Sequence, residues 1–267
     1  MILDIFNIIK AERINPEDSS LAPFFYQHQK AYLFCRKYIK NKIVLEIGSG
    51  SGHGSYGLSK LARKIIAIDK DSTSIKESKT KYISKNLTFV CASFEEYMAP
   101  QKFDVVIALQ VIEHIWDVHS FLKKILLLLK KDGILILSTP NALTQSYNEN
   151  PYHYKEFIPN ELQKILSRYF LQIDLYSLYG DNIISKYEQL RKKQVIHFLS
   201  KDKLNIRRLI PRVIKQRIFD ILSFVRKRET KINNDNHYDI SEKNFIISKV
   251  KLDTSIDIIA CCRKIKK

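Results

Sequence analysis

Glycine is scarce in this chain of 267 residues: there are seven, and five of them, Gly48, Gly50, Gly52, Gly54 and Gly57, fall within "GSGSGHGSYG". Long apolar runs are missing as well. No stretch approaches the roughly eighteen apolar residues of a membrane span. A secretory leader is not expected either, because Met1 to Ile9 contains Asp4, ends in Lys10-Ala11-Glu12 and lacks a small-residue cleavage site. The four cysteines, at 35, 91, 261 and 262, have no metal-binding spacing. They predict reduced, buried thiols in a cytosolic protein. Internal repeats and low-complexity segments are absent. What the chain does have is apolar residues (45%), enough to bury a full core with material left over.

Glycine costs stability wherever positive φ or close backbone approach is not needed, so five in ten positions demand a reason. Lys42 to Ile47 precedes them and reads as a buried strand; Tyr56 to Arg63 follows, with Leu58 and Leu61 at helical spacing. Strand, glycine turn and helix open a nucleotide-binding βαβ unit. Two registers compete. Gly52 to Gly57 fits G-x-G-x-x-G but starts beyond the strand end, whereas Glu46 with Gly48, Gly50 and Gly52 gives E-x-G-x-G-x-G directly at it. A second apolar run, Ile65 to Ile68, ends in Asp69. An acid there suits the ribose hydroxyls of NAD or of S-adenosylmethionine equally.

With "VLEIGSGSG", "IAIDKD", "LTFVCASFEEY", "FDVVIALQVIEHI" and "KKDGILILSTPN" in this order, the chain resembles the class I S-adenosylmethionine-dependent methyltransferases from about Tyr26 to Phe170. The resemblance implies a Rossmann-like doubly wound, mostly parallel α/β sheet of about seven strands. It places cofactor contacts at Glu46, Gly48, Gly50, Gly52, Asp69, Ser93, Phe94 and Gln110. Ser93 stands where many relatives carry an aspartate for the adenine amine. "QVIEHI" and "TPNALTQSYNENPYHYKEF" look like members that methylate hydroxyls of glycans, quinone precursors or RNA ends.

The strands expected are Leu87 to Cys91, Phe103 to Leu109, Ile134 to Ser138, Leu171 to Leu178 and a last one at Ser255 to Cys262. The helices expected are Tyr26 to Ile39, Ser72 to Ser84, Phe121 to Lys130 and Asn160 to Tyr169. Residues 1–181 and 241–267 then form the methyltransferase domain, and 182–240 a basic helical insertion before the last strand. Charge follows this division. Of the net +17, residues 186–231 hold +11 and residues 1–185 only +4. Residues 204–228 combine apolar positions at helical spacing with Arg207, Arg208, Arg212, Lys215, Arg217, Arg226, Lys227 and Arg228. Such a helix serves as a lid packed on the domain or as a contact for anionic lipid. Nucleic acid is disfavoured because no RNA-binding module accompanies it.

Methyl transfer from a sulfonium to a hydroxyl needs an aligned nucleophile and a base. The loops at the carboxyl ends of the strands offer Gln110, Glu113, His114, Asp117 and His119 after the fourth strand and His153 after the fifth. In the small-RNA 2′-O-methyltransferases that "QVIEH" resembles, the matching places, here Gln110, Glu113, His114 and His153, hold a metal. Gln110 replaces a carboxylate with an amide. Glu113, His114 and His153 are therefore the catalytic candidates, with a divalent metal on the same three as an option. The sequence reading is an S-adenosylmethionine-dependent O-methyltransferase acting on a glycan or glycolipid hydroxyl, cytoplasmic or at the inner face of the membrane. A quinone-precursor or RNA ribose methyltransferase and an inactive cofactor-binding scaffold are the alternatives.

Overall fold

The computed structural model describes residues 21–145, 150–200, 210–211, 213–217 and 240–265. Helix α1 (Ala22–Ile39) leads into strand β1 (Ile43–Ile47), and β and α then alternate through α2 (His53–Ser59), β2 (Lys64–Asp69), α3 (Ser72–Lys81) and β3 (Leu87–Cys91). Next come β4 (Phe103–Leu109), α4 (Val118–Leu128), β5 (Leu129–Pro140), the short α5 (Ala142–Gln145), α6 (Pro159–Leu166) and β6 (Phe170–Gly180). Helix α7 (Asn182–Ser200), β7 (Phe245–Ser248) and β8 (Asp257–Ile265) complete the described elements.

The strands form one sheet in the order β3-β2-β1-β4-β5-β8-β6-β7. Neighbours from β3 to β5 are parallel, while β8 lies antiparallel between β5 and β6. The inner strands β1, β2 and β4 are largely apolar because both faces of the sheet are covered, as expected of a parallel sheet; Glu46 in β1 and Asp104 in β4 are the interior exceptions. Leu45, Val106, Leu135 and Ala260 pack with Phe121, Leu122 and Ile125 of α4 and Leu162 and Leu166 of α6. Val44, Ile65, Val105, Ile107 and Cys261 pack instead with Ala31, Phe34 and Ile39 of α1, Leu58 of α2 and Ile75 of α3. Adjacent Cys261 and Cys262 point to opposite faces, and both are buried.

Several boundaries differ from the sequence reading for local reasons. Helix α1 begins at Ala22, with Pro23 in its first turn, where a missing N–H costs nothing. Helix α2 starts three residues earlier than the leucine spacing suggests, because Gly52 at φ 76 turns the chain directly into it. The start of α4 is set by Asp117, whose side chain accepts from the backbone of His119 and Ser120; Asp117 is a cap and not a site residue. An eighth strand, β7, joins the sheet edge antiparallel to residues 177–180 of β6. Its four residues, Phe-Ile-Ile-Ser, are too few to show alternation. Cys91, expected to be buried, is exposed at the end of β3. Of the expected insertion, α7, residues 210–211, a short helix at 213–217 and residue 240 are described; the rest of the basic stretch 204–228 lies outside the described residues.

The glycine cluster is not used uniformly. A Cβ on Gly54 would meet the ring of Tyr32 at 2.0 Å, whereas on Gly57, exposed in the middle of α2, it would meet no described atom within 4 Å. Gly54→Ala should therefore destabilise the fold by about 1–3 kcal/mol, the usual cost of overpacking. Gly57→Ala should stabilise it by about 0.5–1 kcal/mol, since only backbone entropy changes there. Urea unfolding of the two variants beside the parent protein measures both signs.

Candidate active site

Strands β1 and β4 are neighbours from which the chain departs in opposite directions, so their carboxyl ends border the crevice where open α/β sheets take ligands. The loop after β1 is pinned there by backbone. Gly48 and Ser49 both donate to the Ile68 carbonyl, at 2.9 and 3.0 Å, and Gly52 donates to Ser49. Gly48, Gly50 and Gly52 all have positive φ, at 73°, 51° and 76°. At Gly50 a Cβ would meet no described atom within 4 Å, so the bare backbone faces open space.

Two carboxylates flank this loop. Asp69 ends β2, and its oxygens accept from the Gly50 N–H at 2.8 Å and the Asp71 N–H at 2.9 Å. Each oxygen keeps a further lone pair for a ligand hydroxyl. Glu46 is buried in β1 and accepts at 2.6 Å from the Tyr32 hydroxyl of α1. Burial pushes its carboxyl up to about 7, against the opposing effect of hydroxyl hydrogen bonds including that of Tyr32. His53, at the start of α2, is held by Ser51 Oγ at 2.9 Å and packed between Phe25 and Tyr32. Burial lowers its pKa to about 4, so it is neutral at physiological pH.

The remaining expected cofactor residues fare differently. Gln110, just past β4, sits at φ 55 and donates from both its backbone N–H and its side-chain amide to Ser138 on β5. A left-handed non-glycine residue stores strain of a kind that clusters at functional sites. Ser93 is bonded to Glu96 within its own turn. The Phe94 side chain is buried in the core, edge-on to Phe121, which leaves only its backbone for a ligand.

The three catalytic candidates are brought together. Glu113 belongs to a 3-10 turn, Ile112–His114, and its carbonyl accepts from Tyr154 N–H at 2.7 Å and Lys155 N–H at 3.3 Å. That pairing lays the loop after β5 across the loop after β4. The His114 and His153 rings meet edge to face at 4.9 Å, and ligand-type atoms of Glu113, His114 and His153 lie within 4.8 Å of one another. Partners outside the trio orient both imidazoles. His114 Nδ1 faces the Tyr152 carbonyl at 3.2 Å, and His153 Nδ1 faces the Glu156 carboxylate at 3.2 Å. With Nδ1 donating in each ring, Nε2 is the basic nitrogen, a tautomer assigned from these partners. Asn150 places its amide 3.0 Å from His153 Nε2.

Glu156 and Asn150 were missed by sequence reasoning. The H-x-x-E spacing of His153 and Glu156 was the available signal. His119 is drawn away from the trio: its Nδ1 meets the Tyr169 hydroxyl at 2.7 Å.

Comparison with known proteins identifies the family of this fold. Residues 39–173 match the family model described as "Methyltransferase domain". The chain belongs to this family, and its domain is of the class I S-adenosylmethionine-dependent kind. It is 32% identical over 163 residues to the Mycobacterium tuberculosis protein named probable S-adenosylmethionine-dependent methyltransferase, covering 59% of each. It is also 32% identical over 124 residues to the ubiquinone biosynthesis O-methyltransferase of Bradyrhizobium diazoefficiens, covering 42% of this chain and 49% of that protein. The chain thus spans about three fifths or less of these relatives. A solved S-adenosylmethionine-dependent methyltransferase from Thermotoga maritima shares the fold at a TM-score of 0.54 and 15% identity, covering 90% of this chain and 92% of that one.

S-adenosylmethionine fits the residues present. Gly50 leaves room, Asp69 offers acceptors, and Glu46 Oε2 and Ser49 Oγ are buried without a hydrogen-bond partner among the described residues. Asp69→Ala removes charge-assisted hydrogen bonds worth roughly 1.5–3 kcal/mol, so affinity should fall by about tenfold to a hundredfold. Calorimetry with S-adenosylmethionine and with NAD checks this; tighter binding of NAD by the parent protein would contradict the assignment.

Glu46 also sets a pH dependence. Its folded pKa of about 7 exceeds the ordinary 4.5, so the folded state binds the extra proton between those values. Its contribution is fully present below about 4.5 and is lost as pH rises through 7, by at most about 1.4 kcal/mol per pH unit. His53 acts with the opposite sign: stability is present above 6.5 and lost as pH falls through 4. Glu46→Gln keeps His53 and deletes the carboxyl, so the variant should gain on the parent as pH rises from 5 to 8. Unfolding free energies at several pH values measure the difference.

Proposed function

We propose that this protein is an S-adenosylmethionine-dependent O-methyltransferase whose acceptor is a hydroxyl of a glycan or glycolipid, with His153 as the base. The observation that carries the reading is the Glu156–His153 pair, set beside His114 at the carboxyl ends of β4 and β5. When bound, the cofactor would supply an electrophilic methyl group on a sulfonium, whose sulfur takes the electron pair of the breaking S–CH3 bond and departs as a neutral thioether. The protein must bring an oxygen nucleophile in line and take its proton. His153 Nε2 takes that proton as the O–H bond breaks and the O–CH3 bond forms. Glu156, on Nδ1, stabilises the imidazolium that results. The acceptor hydroxyl has to replace the Asn150 amide at Nε2. Resemblance to a ubiquinone biosynthesis O-methyltransferase supports the hydroxyl class and keeps a quinone precursor as the alternative acceptor.

The glycan or glycolipid assignment draws on the stretch Pro140 to Phe157 and on the basic segment after β6. Gln216 of that segment donates from its side chain to the Pro151 carbonyl at 3.2 Å, against the loop that carries His153. No helix among the described residues is long and apolar enough to cross a membrane. Peripheral contact with an anionic inner membrane face is the part of the proposal that suits a lipid-linked acceptor.

A metal is the second reading, favoured by the convergence of Glu113, His114 and His153. One carboxylate and two imidazoles suit a transition metal better than magnesium. With bonds of about 2.1 Å, an ion would draw the three groups closer together.

Turnover, followed as S-adenosylhomocysteine release with polysaccharide and glycolipid fractions as acceptors, separates these readings. His153→Ala should lower it by about 10² to 10⁴ while leaving cofactor affinity intact. Glu156→Gln should cost about tenfold, with a shifted pH profile, because it acts through His153. Chelation should have no effect; a loss reversed by one divalent ion would transfer His153 from base to ligand. Full activity of His153→Ala would remove it from the mechanism.

A further inference from the structure

The pairing of the two loops continues outward from the histidines. Two residues beyond His114 stands Trp116, and one beyond His153 stands Tyr154; their rings meet edge to face at 5.4 Å. The same backbone bonds from Tyr154 and Lys155 to the Glu113 carbonyl therefore hold two ring pairs, one of histidines and one of aromatics. Exposure rises along this line. The His153 side chain is 10% exposed, Tyr154 48% and Trp116 82%. A single exposed aromatic would be ordinary. Two from different loops, meeting beside the half-buried His153–Glu156 pair, form a corner with flat apolar walls.

We propose that Trp116 and Tyr154 form the stacking platform for a pyranose ring of the acceptor, beside His153. The inference rests on the hydroxyl-methylating reading of His153 and adds the chemical class of the ring that carries the hydroxyl. A pyranose has one face of C–H groups and a rim of hydroxyls. The C–H face is attracted to the negative face of an indole or phenol ring. Its rim needs hydrogen-bonding groups, and the Asn150 amide and Glu156 carboxylate both stand against the His153 ring, next in the chain to Tyr154. A sugar keeps its outer hydroxyls hydrated on an indole as exposed as Trp116. A phenolic ring also stacks on one face of an indole, but it lacks the rim of hydroxyls that the polar groups around His153 would engage.

Trp116 is the single tryptophan of the chain, so its emission reports on the platform alone. Methyl pyranosides added to the full-length protein with S-adenosylhomocysteine should change that emission saturably, with dissociation constants on the order of millimolar. In turnover assays, Trp116→Ala and Tyr154→Ala should each raise the acceptor KM by about tenfold, leave kcat within about twofold and leave cofactor affinity unchanged. Trp116→Phe should recover most of the loss. His153→Ala separates the two readings: it should lower turnover by about 10² to 10⁴ and keep the fluorescence response of Trp116. If His153→Ala stays active while the KM effects of Trp116→Ala persist, the base assignment fails and the platform stands. No response to any pyranoside would overturn the platform, as would a stronger response to a catechol. So would a response to sugar-free phosphatidylglycerol vesicles in place of soluble pyranosides, which would make these aromatics a membrane contact.

Discussion

One carbonyl organises the reactive end of this molecule. The Glu113 C=O receives the N–H groups of Tyr154 and Lys155, and through them a turn after β4 holds a loop after β5 in fixed register. A third contact, His114 Nδ1 on the Tyr152 carbonyl, reinforces the pairing. The two imidazoles then meet edge to face, and the proposed proton transfer, metal affinity and acceptor stacking all draw on this one junction of loops. Phe157, buried completely a short distance along the chain, anchors the far side of the loop in the core. The site is thus held between a backbone clasp and an apolar plug.

Much of the architecture was legible in the sequence because both faces of the sheet are covered. Continuous apolar runs such as Ile65 to Ile68 can be little else than buried strands, and β3 and β4 fall at Leu87–Cys91 and Phe103–Leu109 as the pattern predicts. Strand β7 was not legible. Four residues at a sheet edge carry no period, and their pairing with β6 is decided by tertiary context. The glycine loop and Asp69 were readable as a unit, since the strand end fixes where positive φ is needed. That Gly54 yields to a tyrosine ring and Gly57 to nothing could not be read without knowing where α1 lies.

The candidate site shows the same division. Glu113, His114 and His153 were identifiable by chemical type and by position after successive strands. Glu156 and Asn150 were not, because an orienting group is defined only by the direction of the ring it holds. Asp117 shows the converse case: a carboxylate in the loop after β4, it is taken up in capping α4.

Tyr32 joins parts of the chain that are otherwise separate. Its hydroxyl holds Glu46 on β1, its ring roofs Gly54 and it packs on His53, while its backbone belongs to α1. Detaching α1 from the sheet would take away the ceiling of the glycine loop and leave a buried acid without its donor. The first helix and the loop should therefore open as one cooperative unit, with a common free energy of exchange for their amides. A ligand that occupies the loop would then slow exchange in a helix it need not touch, which makes the amino-terminal helix a remote witness of occupancy.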